Sequence, residues 1–412
     1  MKLGKLFLVN LVLVLLLLTT SLALGCEAQP TTPQKTLKIG FLNDLGGSTG
    51  LEALHVLEVQ ADMDNERGGV EIGGEFYNVQ IIAYDTGNSD QPTAVAAANR
   101  LIFEDEVKYI IFGAPALVSA WINTTEENKV LALGSSPDMS NELPTVHYGF
   151  NPTFKNGGDP AVTGWFCENY PDVVAQGVVS AYADNQLGRM FSQMIGGLWQ
   201  AFGVEPTDVF FPEGAADLSS MATRVKTLNP GCFTTGGNGS TTDANIFKSV
   251  WSAGYEGMFF TSTSPSTDLY VNAAGEAVEG LICRMNATDP DPALTEAAQE
   301  FKNAWIDKYG EWTSPDITQT VTYCAFIAAL QEAGSLDTDA VADVLANGLE
   351  FDTLEGYAQM MSRPDLGNSR TVDCAGTIYL KQIRDGQATL IATIPPEEVI
   401  AYFRLVYPEP TQ

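Results

Sequence analysis

Gly46-Gly47-Ser48-Thr49-Gly50 has the outline of a catalytic motif. It satisfies G-x-S-x-G between an apolar run and a helical pattern, the context in which a sharp turn lifts a serine hydroxyl for acyl transfer. Such a serine needs a histidine base and a carboxylate to orient it. The chain has two histidines, His55 close behind the motif and His147 before half the chain. Such an elbow normally comes after several strands, whereas this one follows the first apolar run, so a serine hydrolase is a remote alternative and the motif reads as a Gly-rich turn. Asp62, Asp64 and Glu66 alternate like a calcium loop, but inside a helical pattern and without that loop's other ligands. With so few histidines and no C-x-x-C, neither a metal nor a cofactor is expected, and the chain is not read as an enzyme. Asn123-Thr124-Thr125, Asn238-Gly239-Ser240 and Asn286-Ala287-Thr288 are glycosylation acceptors only in a cell that has that pathway.

Cys26 has a different chemistry. Lys2 and Lys5 precede an apolar run from Leu6 to Leu18, and small residues then lead through Leu22-Ala23-Leu24-Gly25 to Cys26. This is the pattern of a secretion signal over residues 1–25, too short at 1.5 Å per residue for a hydrocarbon core of roughly 30 Å. The segment resembles a bacterial lipobox, in which the cysteine is diacylated and becomes the new N-terminus. Ala23 stands where leucine is usual, so ordinary cleavage after Gly25 stays open. Residues 26–36, with Pro30 and Pro33, read as a flexible tether. Of the other cysteines, Cys324 lies in an apolar helical run and reads as a buried free thiol, while pairing of Cys167, Cys232, Cys283 and Cys374 stays open.

The length of 412 residues is too great for one core, so two domains are expected. Fifty-one acids against 21 bases give a net charge of −30, which repels nucleic acid and anionic membrane surfaces. From Leu37 onward short apolar runs alternate with helical patterns, the grammar of βα units and parallel sheets. Strands are expected at 37–42, 79–84, 107–112 and 130–133, with helices at 51–66 and 118–128 and another that Ser89-Asp90-Gln91-Pro92 opens and that runs through Phe103. After Phe150-Asn151-Pro152 the alternation restarts with a helix at 160–170, a strand at 177–181 and a helix at 186–202. Long helices follow at 293–308 and 317–333. The period then changes, because Thr377–Ile383 and Ala388–Ile394 flank Asp385-Gly386, a hairpin signal.

Several segments stand in a specific order: Leu37-Lys38-Ile39-Gly40-Phe41, then Asp62-Met63-Asp64-Asn65-Glu66-Arg67-Gly68-Gly69-Val70, then Tyr84-Asp85-Thr86 before Ser89-Asp90-Gln91-Pro92, and finally Ala274-Gly275-Glu276-Ala277-Val278-Glu279-Gly280. This order resembles the type I periplasmic binding proteins of the leucine/isoleucine/valine-binding family, the solute receptors of ABC importers. The resemblance implies an α/β fold of two doubly wound lobes with parallel-sheet cores, joined by three crossings and closing on a solute. Lobe 1 would be 37–152 plus 284–348, and lobe 2 would be 153–283 plus 349–412. It further implies a small-molecule ligand, an ABC permease as partner, no nucleic acid, and a place on the outer face of the cell membrane or in the periplasm. A sensing receptor not coupled to transport is the alternative.

The same resemblance puts the first-lobe ligand contacts at Gly113 to Ser119 and at Ser135 and Ser136. In lobe 2 it points to Asp184 and to Ser262 and Thr263. The family's tyrosine is missing near Asp184, and its ammonium-binding glutamate is replaced by Ser262-Thr263-Ser264. The expected solute is therefore a carboxylate or amide other than a branched-chain amino acid, unless Asp184 or Asp138 replaces that acid. Trp121, Tyr182 and Tyr323 are candidate aromatic walls, although core packing is the ordinary role of such residues.

Overall fold

The computed structural model describes residues 35–87, 90–113, 116–135 and 139–408; the leader, Cys26 and nearly all of the tether lie outside them. The chain begins with β1 (Lys35–Asn43), α1 (Ser48–Glu66), β2 (Val70–Ile72), β3 (Glu75–Asp85), α2 (Gln91–Phe103), β4 (Tyr109–Phe112), α3 (Ile122–Asn128), β5 (Leu131–Gly134) and β6 (Gly149–Phe150). These strands form one sheet in the order β2-β3-β1-β4-β5-β6. β1, β4, β5 and β6 are parallel neighbours; β4, β5 and β6 are buried on both faces, as is β1 from Ile39 onward, which explains their apolar runs. Ile39 and Phe41 face one core with Leu57 of α1, while Leu42 faces another with Ala98 and Leu101 of α2. α2 lies so close to β1 that a Cβ on Gly40 would stand 2.7 Å from Leu101 Cδ1. Its start is set by Asp90, whose carboxylate accepts from the Thr93 backbone N–H at 3.1 Å.

A second series follows: α4 (Phe154–Asn169), α5 (Pro171–Ala175), β7 (Val178–Ala183), α6 (Gln186–Ala201), β8 (Thr207–Phe211), α7 (Ser219–Leu228), β9 (Cys232–Thr235), α8 (Ser240–Ser252), β10 (Met258–Phe260), α9 (Thr267–Ala274) and β11 (Ile282–Met285). Then come α10 (Glu296–Tyr309), α11 (Thr318–Ala333), α12 (Thr338–Ala346), β12 (Glu350–Thr353), β13 (Gly356–Arg363), β14 (Asn368–Gly376), β15 (Ile378–Arg384), β16 (Gln387–Ile394) and α13 (Pro396–Val406). The second sheet runs β16-β15-β11-β10-β9-β7-β8. The fold is thus α/β with two lobes, each built on a largely parallel sheet.

Purely parallel sheets are not what the chain builds. β2 pairs antiparallel with β3, and the β15–β16 hairpin adds antiparallel strands beside β11. Its Asp385-Gly386 turn has φ of 51° and 71°, the paired positive values that this dipeptide tolerates. β12, β13 and β14 form a separate antiparallel sheet, tied to the end of β6 by the Asn151 N–H donating to the Val372 carbonyl at 2.6 Å. α4 begins six residues before Pro160, which lies inside the helix, because Ala161, Val162 and Phe166 are buried on this stretch. Tertiary burial outweighs the local preference for a proline at a helix start. The five described cysteines are all free, Cys324 among them, partly buried and packed against the main core.

Candidate functional site

In the first lobe the loops after β1, β4 and β5 meet at one end of the sheet. The turn after β1 closes with the Gly47 N–H on the Asp44 carbonyl at 3.2 Å. α1 starts so close above it that a Cβ on Gly50 would lie 1.9 Å from that same oxygen. Gly113 follows β4, and a Cβ there would meet the Asn43 side chain at 2.5 Å, so glycine lets Asn43 lie across the strand ends. Ser135 follows β5 and is 7% exposed. The Gly134 carbonyl before it accepts from Asn141 Nδ2 at 3.0 Å, which ties down the loop.

In the second lobe the corresponding loops follow β7, β9 and β10. The Thr235 hydroxyl donates to the Ala181 carbonyl at 2.9 Å, and Asn238 accepts from the Ala183 N–H at 3.1 Å while donating to Asp243 at 2.8 Å. Burial pushes the Asp243 carboxyl up to about 6 against these bonds. After β10, the Thr261 and Thr263 hydroxyls are 3.0 Å apart, Ser262 is buried, and the Thr263 carbonyl accepts from the Arg284 N–H at 3.0 Å. Lys381 of β15 braces this loop from behind. Its ammonium donates to the Pro265 carbonyl at 2.8 Å and to Thr267 Oγ1 at 2.9 Å, and forms a buried pair with Asp289 at 2.6 Å.

Gly113, Ser135, Ser262 and Thr263 therefore sit at strand ends. Ser119 is exposed on a single 3₁₀ turn over Val118–Ala120, and Ser136 and Asp138 lie outside the described residues. Asp184 is exposed and engages Arg189 at 2.5 Å; the N-cap of α6 is Asn185, which accepts from the Gly188 N–H at 2.7 Å. Trp121, Tyr182 and Tyr323 are all core residues. The Trp121 indole donates to the Ala116 carbonyl, and the Tyr323 hydroxyl donates to Asp64. His55 lies tilted against the Tyr309 ring and His147 lies on the surface beside Glu126. Among the described residues no group of three or more His, Cys, Asp or Glu side chains is placed to hold a metal, and no helix is long and apolar enough to cross a membrane.

The sequence reading missed the polar junction between the segment after β10 and the segment before α11. Asp316 Oδ1 accepts from the Ser264 hydroxyl at 3.2 Å and from the Thr318 hydroxyl at 2.6 Å, and Thr318 in turn accepts from Arg284 at 2.9 Å. The Asp316 N–H donates to Glu52 of α1 at 2.9 Å. The Ser314 hydroxyl donates to Asp268 at 3.1 Å and the Ser266 hydroxyl to the Thr313 carbonyl at 3.2 Å. Burial, with the Asp316 charge adding to it, raises Glu52 to about 7. Neither Ser314-Pro315-Asp316 nor Glu52 carries a sequence motif that marks this junction.

A model of the periplasmic binding protein family matches residues 36–387. No curated protein resembles the chain closely enough in sequence to count as a match. The fold is similar to that of a leucine-binding protein from Thermotoga maritima, at 21% identity and a TM-score of 0.70 over 88% of this chain and 100% of that one. It is also similar to a leucine-, isoleucine-, valine-, threonine- and alanine-binding protein from Brucella ovis, at 19% identity and a TM-score of 0.69 over 89% and 96%. A solute-binding protein of an ABC transporter from Rhodopseudomonas palustris, in complex with benzoate, aligns at 17% identity with a TM-score of 0.68 over 88% and 97%.

Proposed function

Because the chain belongs to the periplasmic binding protein family, we propose that it is the extracytoplasmic receptor of an ABC importer, capturing a small polar organic solute between its lobes. The observation that carries this is the family match across nearly the whole described chain on a two-lobed α/β fold. Lobe 1 is taken as 37–152 plus 284–348 and lobe 2 as 153–283 plus 349–412. The solute is held by Ser135, Ser136 and the backbone at Gly113 and Ser119 on one side, and by Ser262 and Thr263 on the other, with Asp184 at the margin. The lipid on Cys26 keeps the receptor at the outer face of the membrane.

The solute is a carboxylate or amide other than a branched-chain amino acid. A buried ammonium without a counter-charge costs several kcal/mol. Ser262-Thr263-Ser264 carries no acid of its own, Asp184 is already paired with Arg189, and Asp316 beside the loop is taken up by the Ser264 and Thr318 hydroxyls, which supports this reading. The neighbours differ in the same respect, since one is described as leucine-binding and another is bound to benzoate.

A thermal-shift screen of carboxylates, amides and amino acids tests the reading. A solute at 100 times its Kd adds about 2.7 kcal/mol to the folded state. Consumption of the solute in the same tube overturns the receptor reading, and micromolar calorimetric binding of leucine overturns the solute class. Cys26→Ser should release the protein from membranes, and mass spectrometry of the membrane form should find an acylated Cys26 peptide.

A further inference from the structure

Beside the strand ends, a groove of about 900 Å³ opens between α1 and α10 on one side and α9 on the other. Glu52, Asp268 and Glu311 line it, and no lysine or arginine does. Its aromatic wall is one continuous cluster: Tyr309 lies tilted against His55 at 4.9 Å and against Trp305 at 4.7 Å, and Trp312 meets Trp305 edge-on at 6.0 Å. Two of these rings already host ammonium groups of the protein, with Lys308 Nζ 5.6 Å from the Tyr309 centroid and Lys302 Nζ 5.5 Å from that of Trp312. Neither lysine is a spare charge, because Lys308 pairs with Asp62 at 2.8 Å and Lys302 donates to the Pro290 carbonyl at 3.1 Å. Trp305 is 3% exposed and its indole N–H has no acceptor, an unmet donor of the kind native proteins rarely bury.

We propose that this groove is a second solute site, which takes an organic ammonium compound that also carries an acceptor oxygen. The cation lies against the aromatic wall and the three acids, and the oxygen meets the Trp305 N–H. The groove shares Glu52, Ser266, Asp268 and Thr313 with the polar junction and lies between elements of both lobes, so the proposal rests on the receptor reading and adds to it a cation site beside the strand ends. A neutral solute leaves the acids uncompensated, and a carboxylate without an ammonium is repelled by them. Glu52 gives the site a pH signature. Its carboxyl is partly protonated near neutrality, and an incoming cation favours the ionised form, so binding tightens as pH rises from 6 to 8. The other titratable groups there are Asp316, bonded to Glu52 through its N–H, and Asp268, Glu311, His55 and Tyr309 in the lining.

Calorimetry on the full chain with three probes tests this. Choline carries both features, tetramethylammonium lacks the oxygen, and 3,3-dimethyl-1-butanol has the shape of choline without its charge. Choline should bind, tetramethylammonium more weakly, and the neutral alcohol at least about tenfold more weakly than choline. Glu52→Gln and Asp268→Asn should each weaken choline and, for Glu52→Gln, remove the pH dependence. Trp305→Phe should reduce choline to the level of tetramethylammonium. Circular dichroism and urea midpoints identify any variant that fails to fold, in which case the three-probe series on the unaltered protein decides. No heat with choline up to roughly 10 mM, or equal binding of the neutral alcohol, overturns the site. A screened carboxylate whose affinity ignores Glu52→Gln leaves the receptor reading standing when the groove fails.

Discussion

At Lys381 and Glu355 burial and charge conflict. Lys381 is fully buried and its charge is held by Asp289, Thr267 and the Pro265 carbonyl. Lys381→Met strands the Asp289 carboxylate and should cost about 3–5 kcal/mol in urea unfolding. Pairing it with Asp289→Asn should recover part of that loss, because the stranded charge is then gone. Glu355 is 2% exposed, and burial raises it to about 7 although Arg284 opposes the shift. The folded state therefore holds this proton more tightly than the unfolded chain does. That contribution to stability is fully present below about pH 4.5 and is lost as pH rises through 7, on the order of 3 kcal/mol. Glu355→Gln should flatten that part of the stability profile. A profile identical to the parent's would show that Glu355 binds its proton equally in the folded and unfolded states.

At the scale of elements, the start of α6 separates a structural side chain from a solvated one. Asn185 caps the helix and Asp184 does not, so Asn185→Ala should cost about 1 kcal/mol while Asp184→Ala changes stability little. Gly134 shows how closely the site's elements are fitted. A Cβ there would lie 2.2 Å from the Phe112 carbonyl, between β4 and β5. Gly134→Ala should therefore push β5 off β4, destabilise the chain more than Asn185→Ala, and weaken solute binding through a displaced Ser135. Unchanged affinity in a folded Gly134→Ala protein would remove Ser135 from the site.

For the whole molecule the dominant electrostatic fact is the net charge of −30. Raising salt from about 0.01 M to about 0.15 M shortens the screening length from roughly 30 Å to roughly 8 Å. Self-repulsion should weaken and the melting temperature should rise by about 2–4 °C in calorimetry. Exposed pairs such as Arg67–Glu300 and Lys129–Asp339 are weakened by the same salt, and a fall in melting temperature would mean that they outweigh the repulsion.

The sequence by itself determined what depends on local pattern. The apolar run of β1, the Asp90-Gln91-Pro92 start of α2 and the Asp385-Gly386 hairpin are each written in a few consecutive residues, and each forms where those residues direct. The order of such segments was enough to indicate the family, because spacing between turns survives where individual residues do not. Only the tertiary structure decided the three-stranded β12–β14 sheet and the helix running through Pro160, since distant contacts outweigh weak or contrary local signals there. The same holds for the junction of Glu52, Asp316 and Ser264 and for the aromatic wall of the groove. Glu52 and Asp316 are 264 positions apart in the chain. No periodicity encodes such a meeting, because the hydrogen bond and the raised carboxyl arise only when two packed segments exclude water together.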